Sequence, residues 1–310
     1  MSVAHEQWDI VSSVGWTALM VAAGRAVETH RSDGLVRDPW AERFVAATGA
    51  DPALPTRVDQ RWPAPGSGQD AGRRADQDED VQRYWDLLAA YQGVRSRYFD
   101  TALTRAAEQG VDQVVLLAAG LDTRAFRLDW PAGTTVFEVD QAGVLDFKDR
   151  VLDEQGARTT CDRRRVDADL REDWQGALQR AGFDPDRRSA WLMEGLLPFL
   201  PAAAEADLFH AVNQLAAPGS SAAIEHFAPA VEAITAEHPG LLEQFAAAYG
   251  IDIVSLVSAE PRTEPTRRLG DLGWSVTPTR AADAASGYGR PLPTLSSGLQ
   301  LDSVLISADR

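Results

Sequence analysis

The stretch "VVLLAAGLDTRAFRL", residues 114–128, constrains the fold more than any other part of the chain. Its apolar run is too short for a typical helix and shows no polar alternation, so it reads as a strand buried on both faces. Gly120 closes the run. A residue without a Cβ lets a turn pass close beneath a ligand and accepts unusual dihedrals. For the glycine alone, a plain strand-to-helix turn is an equally good reading.

Alternation downstream extends the argument. Residues 135–139, 165–166, 189–193 and 221–225 read as strands, separated by helical patterns at 144–152, 172–181 and 205–216. Helices at 231–249 and 265–272 follow, with closing strands at 274–277 and 299–306. Such alternation predicts an α/β fold: a doubly wound, mostly parallel, seven-stranded sheet.

Upstream, residues 11–29 carry Val14, Ala18, Leu19, Ala22, Ala26 and Val27 at helical spacing, with Ser12 or Ser13 as N-cap. A short helix containing Trp40, Phe44 and Val45 follows Asp38-Pro39, and a long one is expected over 81–109. Between them, residues 51–80 are rich in Pro, Gly and charge and read as a surface loop. The expected division is a helical cover and loop at 1–80, then a ligand-binding domain with insertions at 81–310.

The formal net charge of −16 opposes generic binding to nucleic acid or anionic lipid. Cys161 is the single cysteine, which excludes an intrachain disulfide and a cysteine-based zinc site. It stands among charged residues with no activating histidine nearby in sequence, so a catalytic thiol is not expected. The five histidines lack a metal spacing such as H-E-x-x-H. Neither a signal peptide nor a membrane-spanning run is visible, and a cytoplasmic protein is expected.

In open parallel sheets, ligands bind beyond the carboxyl ends of the strands. Asp140 ends the second strand about twenty residues after Gly120, where an acid can accept both hydroxyls of a ribose. Glu138, two residues earlier on the same face, competes for that role, and a helix cap before Gln141 is the structural alternative. The third strand ends in "DADLRE". There Asp169 can accept from an adenine amino group while the Leu170 backbone meets the ring edge. Asp169 and Glu172 also make a fair capping box.

A nicotinamide dinucleotide needs a glycine-rich turn around its pyrophosphate. The window Ala118-Ala119-Gly120-Leu121-Asp122-Thr123 lacks two of those glycines and adds an acid. No P-loop is present. Asp122 suits a cationic ligand portion, or caps the short helix through Arg127. S-adenosylmethionine, a nucleoside without phosphates that carries a sulfonium and an ammonium, fits this pattern.

The blocks "LLAAGLDTRAFRL", "FEVDQAGVLDFK", "DADLRE" and "WLMEGLLPFLP" resemble the leucine carboxyl methyltransferase-like family, particularly its bacterial S-adenosylmethionine-dependent methyltransferases. The resemblance runs from "SSVGWTALMVAAGRAVE" through "RDPWAERFV" and "VRSRYFD" to the last strand. It implies a class I, Rossmann-like methyltransferase fold with S-adenosyl-L-methionine as cofactor. By position it implies that Gly120 underlies the methionine part of the donor, Asp140 holds the ribose, and Asp169 with Leu170 contacts the adenine. Arg95 matches the arginine that pairs with the donor carboxylate, with Arg97 as rival, and Glu194 the acid beside the ammonium. Ala118 stands where the family commonly has glycine, a change expected to take up little space.

The implied reaction is O-methylation by in-line displacement on a small carboxylic acid, a hydroxyl compound or a protein carboxylate. A carboxylate needs no general base. A hydroxyl would, and His226 is the nearest candidate. Trp16, Leu19 and Met20, "LLPFLP" at 196–201, and residues 230–265 are expected near the acceptor. The competing readings are an NAD(P)-dependent oxidoreductase and a non-catalytic S-adenosylmethionine-binding protein.

Overall fold

Strand β1, Gln113–Leu117, is buried along its whole length, and its side chains divide between two cores. Val114 and Leu116 pack on one face of the sheet, Val115 and Leu117 on the other. Helices on both faces explain why the run shows no alternation. The computed structural model describes residues 14–50, 53–62, 75–227, 253–258, 260–294 and 303–310.

Seven strands form one sheet: β1, β2 (Thr135–Asp140), β3 (Asp162–Asp167), β4 (Ser189–Met193), β5 (Ser221–Phe227), β6 (Ser275–Arg280) and β7 (Ser303–Asp309). Their order is β3-β2-β1-β4-β5-β7-β6, parallel from β3 through β5. β7 runs antiparallel to both β5 and β6. The chain is therefore an α/β protein with a mostly parallel, doubly wound sheet. The order reverses between β1 and β4, the place where crevices open at the strand tips of such sheets.

One face carries α1 (Val14–His30), α2 (Ala41–Ala47), α3 (Ala75–Glu108), α5 (Ala142–Glu154) and α10 (Ala281–Gly287). The other carries α6 (Trp174–Arg180), α7 (Ala202–Leu215) and α9 (Pro265–Asp271). Two single turns, α4 (Arg124–Arg127) and α8 (Ile253–Leu256), complete the described α-helices, and Leu197–Phe199 forms a short 3-10 helix. Helix α3 buries Trp85, Leu87, Tyr91, Val94, Phe99 and Leu103, a stripe at helical spacing.

Several boundaries differ from the sequence reading for identifiable reasons. α3 begins at Ala75, so the last residues of the expected 51–80 loop are helical. Charge in "ADQDED" hides the start of that helix. β3 reads "DRRRVD", an edge strand whose arginines reach the acids of α5, so only a fragment carries an apolar strand signal. α6 starts at Trp174, capped by Asp173, which accepts from the Gly176 N–H at 3.0 Å. The expected Asp169–Glu172 capping box is thus replaced by a turn two residues ahead of the helix. The N-cap at Ser12 or Ser13, the helix at 231–249 and part of the 51–80 loop lie outside the described residues, as does the start of the last strand. No described helix is long and apolar enough to cross a membrane.

Candidate active site

The tips of β1, β2 and β3 are joined by backbone beyond the ends of the strands. The Ala119 N–H donates to the Val139 carbonyl at 3.0 Å, and the Ala168 N–H to the Asp140 carbonyl at 2.9 Å. Between them the Asp140 carboxylate accepts from the Gly120 N–H at 2.6 Å and the Gln141 N–H at 2.7 Å. Burial raises the Asp140 carboxyl above its ordinary range, with the two N–H bonds opposing the rise. Asp140 is thus an acceptor held in place by main chain.

The loop after β1 is left-handed twice, at Ala118 (φ +52°) and at Gly120 (φ +46°). A Cβ added at Gly120 would lie 3.7 Å from the Ala18 side chain of α1. Ala118 adopts a conformation that favours glycine, so its alanine strains the backbone by roughly 1–2 kcal/mol. Its consequence is conformational, a feature that side-chain volume does not reveal.

Below this loop runs a buried ladder of ion pairs. Arg95 of α3 contacts Glu225 at 2.8 Å and Glu194 at 2.8 Å. Glu194 also meets Arg124 at 2.7 Å, and Arg124 meets Asp100 at 2.8 Å, which binds Arg127 at 2.6 Å. The Tyr91 hydroxyl donates to Glu225. Asp122 pairs with Arg124 and accepts from its backbone N–H at 2.6 Å. Burial opposes ionisation of Asp122, but Arg124, aided by Lys148 and Arg127, holds its carboxyl down at about 2. Asp122 therefore caps α4 through Arg124; Arg127 goes to Asp100.

Helix α1 is tied to the same loop. Arg25 donates to Asp38 at 2.9 Å and to the Leu121 carbonyl at 2.7 Å, and Thr123 donates to Asp38 at 2.8 Å.

A cavity of about 1010 Å³ opens over these tips. Arg95, Gly120, Asp140, Asp169, Leu170 and Glu194 all border it. The structure brings these six candidates together. It joins Arg95 to Glu194 directly, whereas they were expected to meet different groups of a ligand. Asp169 is clasped by Arg171 at 2.6 Å and lies 3.5 Å from the Gln141 amide.

Other candidates fall elsewhere. Glu138 is not on the cavity; it is sealed against Lys148 at 2.8 Å and Arg163 at 2.7 Å. Arg97 is exposed and does not border the cavity. Trp16 and Leu19 are core residues, while Met20 borders the cavity together with Ala18 and Val21. Residues 196–200 of "LLPFLP" line it, as do Val257, Ser258, Glu260, Arg262 and Glu264 from the later segment. His226 lies on the wall, its Nε2 2.9 Å from Glu264. Burial pushes the Cys161 thiol up to about 12, with Glu138 and Asp162 adding to the effect, so a thiolate there is disfavoured.

Sequence reasoning missed Gln92, Arg25, Arg124 and Glu225. Gln92 shares the inner face of α3 with Arg95, one turn away. That helical spacing was the available signal. Glu225 had none, because it meets Arg95 across 130 positions of sequence.

The chain matches the family model described as leucine carboxyl methyltransferase over residues 18–213. A relative from Saccharopolyspora erythraea, named as an S-adenosyl-L-methionine-dependent methyltransferase, is 44% identical, covering 99% of this chain and 99% of its own. Similarly named proteins from Rhodococcus jostii (95% of this chain, 94% of theirs) and Mycobacteroides abscessus (94% of each) are both 43% identical. A solved structure from Streptomyces avermitilis, a duf574 family protein, has 16% identity and a TM-score of 0.48, covering 78% of this chain and 93% of its own.

Proposed function

The chain belongs to the leucine carboxyl methyltransferase family, and on that premise we propose that it transfers the methyl group of S-adenosylmethionine to an oxygen of its acceptor. Family membership makes it an S-adenosylmethionine-dependent methyltransferase; oxygen as the receiving atom, and a carboxylate or hydroxyl as its bearer, are our reading. When bound, the cofactor supplies a methyl carbon activated by an adjacent sulfonium.

The observation that carries the reading is the Asp140–Gly120 junction. A carboxylate fixed by two backbone N–H groups, bordering a cavity and paired with no guanidinium or ammonium among the described residues, retains lone pairs for two ribose hydroxyls. In our reading Gly120 lets the main chain approach the methionine portion. The Arg95–Glu194 pair offers one positive and one negative group to the zwitterionic amino-acid end. Asp169 and Leu170 receive the adenine. Helix α1, held to the loop through Arg25 and Asp38, covers the site and helps keep water from the reacting atoms. Alignment of acceptor oxygen and methyl carbon is the work left to the protein.

Calorimetry with S-adenosylmethionine, S-adenosylhomocysteine and NAD tests this reading. Saturable one-to-one binding of the first two, with no response to NAD, is expected. Tight NAD binding without response to the others would reject it.

A further inference from the structure

We propose that the methyl acceptor is an apolar compound bearing a neutral hydroxyl, phenol or alcohol, and that His226 removes its proton while Glu264 holds the imidazole in place. This deepens the methyltransferase reading above and rests on it.

Away from the strand tips the cavity is walled by apolar and aromatic side chains, among them Trp85, Leu88, Leu197, Phe199 and Phe227. A protein's exposed C-terminal segment would bring amide groups that these walls cannot satisfy. The charges along the cavity decide between carboxylate and hydroxyl. Six arginines border it, and each is already paired with a carboxylate of the protein. Arg262, the one nearest in sequence to Glu264, spends Nη1 on Glu205 at 2.7 Å and the Leu197 carbonyl at 2.9 Å, and Nη2 on the Ser258 carbonyl at 2.9 Å. No lysine lies on the wall among the described residues. Among the described residues a carboxylate acceptor would find no cation free of a protein carboxylate, although Arg127 keeps an Nε–H without a hydrogen-bond partner.

Two further polar residues on the cavity, Gln92 and His226, can accept a hydrogen bond. Gln92, more than nine-tenths buried, borders the cavity, and its Oε1 has no hydrogen-bond partner. An orphaned acceptor of this kind costs roughly 1–3 kcal/mol, which a ligand donor would relieve. His226 lies on β5 between Glu225 and Phe227, which both meet Tyr91 of α3, so alternation along the strand turns its ring to the other face of the sheet, where Glu264 stands. In the neutral tautomer that donates Nε2–H to Glu264, 2.9 Å away, Nδ1 is the basic nitrogen. Both groups seek a proton donor. A hydroxyl has one, and a carboxylate has none.

The step balances. The acceptor's O–H proton passes to Nδ1 of His226, and an oxygen lone pair forms the new O–C bond. The S–C bond breaks with its electron pair left on sulfur, which becomes a neutral thioether. Glu264 stabilises the imidazolium until its proton leaves to water.

Matched pairs provide the test: 1-naphthol against 1-naphthoic acid, and 4-phenylphenol against 4-phenylbenzoic acid. Calorimetry on protein saturated with S-adenosylhomocysteine should show binding of the hydroxyl member of each pair and not the acid. Methyl transfer should follow the same preference. His226→Gln should lower turnover on 1-naphthol by roughly 100- to 10,000-fold, the usual share of a general base, with S-adenosylhomocysteine affinity unchanged. The loss should shrink at a pH where 4-nitro-1-naphthol is already ionised, because that acceptor needs no base. Glu264→Gln should shift the pH profile of turnover while leaving acceptor affinity within about twofold. Preference for the acids, or hydroxyl transfer indifferent to His226→Gln, would overturn the inference. Silence toward every hydroxyl probe while S-adenosylhomocysteine still binds would overturn the substrate class alone. Failure to bind S-adenosylhomocysteine would instead overturn the reading beneath it.

Discussion

Glu138 and Asp140 stand two residues apart on β2, where strand geometry sends both side chains to the same face, yet their surroundings differ in every respect. Behind the sheet, Glu138 is enclosed with Lys148, and Arg163 joins them from β3 and reaches on to Asp149. At the tip, Asp140 is hydrogen-bonded among the described residues only to backbone N–H groups and opens on the cavity. The first acid is consumed by the fold. The second keeps hydrogen-bonding capacity that folding does not use. A buried carboxylate thus points to a ligand when main chain holds it and no side-chain cation pairs directly with it.

The largest test of this contrast is Glu138→Ala. It leaves the buried Lys148 ammonium without its nearest carboxylate, and breaking such a pair costs roughly 3–5 kcal/mol. Denaturant unfolding should register that loss, while S-adenosylhomocysteine affinity of the folded fraction stays within about twofold. A selective loss of affinity would return the ribose role to Glu138.

Asp140→Ala should do the reverse. Donor affinity should fall by about 1–3 kcal/mol, the scale of removing a buried hydrogen-bonding partner. Stability should move less than in Glu138→Ala. The folded-state pKa of Asp140 is raised, so its stabilising share is complete at low pH and fades as pH rises through that value; the ionised acid gives the fold little at neutral pH. On the proposed ribose role, donor binding draws on the ionised form, so calorimetric affinity should also weaken as pH falls through the raised value. Equal affinity in the variant would break the comparison.

Acid unfolding sharpens it further. Asp122 has a depressed folded-state pKa, so its contribution is present above its unfolded value near 3.8 and is lost as pH falls through about 2. That difference corresponds to about 2 kcal/mol lost between roughly pH 4 and pH 2. Asp122→Asn should remove this acid-dependent portion, measured as a flatter dependence of unfolding free energy on pH. An unchanged slope would show that the ladder does not hold that charge.

The smallest effect belongs to Ala118→Gly. Relief of a left-handed alanine, roughly 1–2 kcal/mol, is partly offset by the greater freedom of glycine in the unfolded chain, roughly 0.5–1 kcal/mol. A net gain of about 0.5–1 kcal/mol in thermal unfolding is expected, with donor affinity unchanged.

These residues also mark what a linear sequence can convey. β1, β2, β4 and β5 were legible because parallel central strands concentrate apolar residues between turn signals. β3 was legible only at Arg165 and Val166, since an edge strand needs no apolar face on its open side. The antiparallel edge at β6 and β7 follows from pairing across the chain, which local periodicity does not encode. At the site, the acids after successive strands led to Asp140 and Asp169 and the family resemblance to Glu194, all on one cavity. Choosing between Glu138 and Asp140 required the position of Lys148 on α5, and the pairing of Arg95 required Glu225 on β5. The conformation of Ala118 is a backbone property with no signature in its side chain.

The most direct measurement is a crystal structure with S-adenosylhomocysteine bound. The account predicts both ribose hydroxyls within about 3 Å of the Asp140 carboxylate, with Gly120 beneath the amino-acid portion and Glu138 still closed on Lys148. A ribose held elsewhere, or a crevice filled by the protein's own side chains, would contradict it.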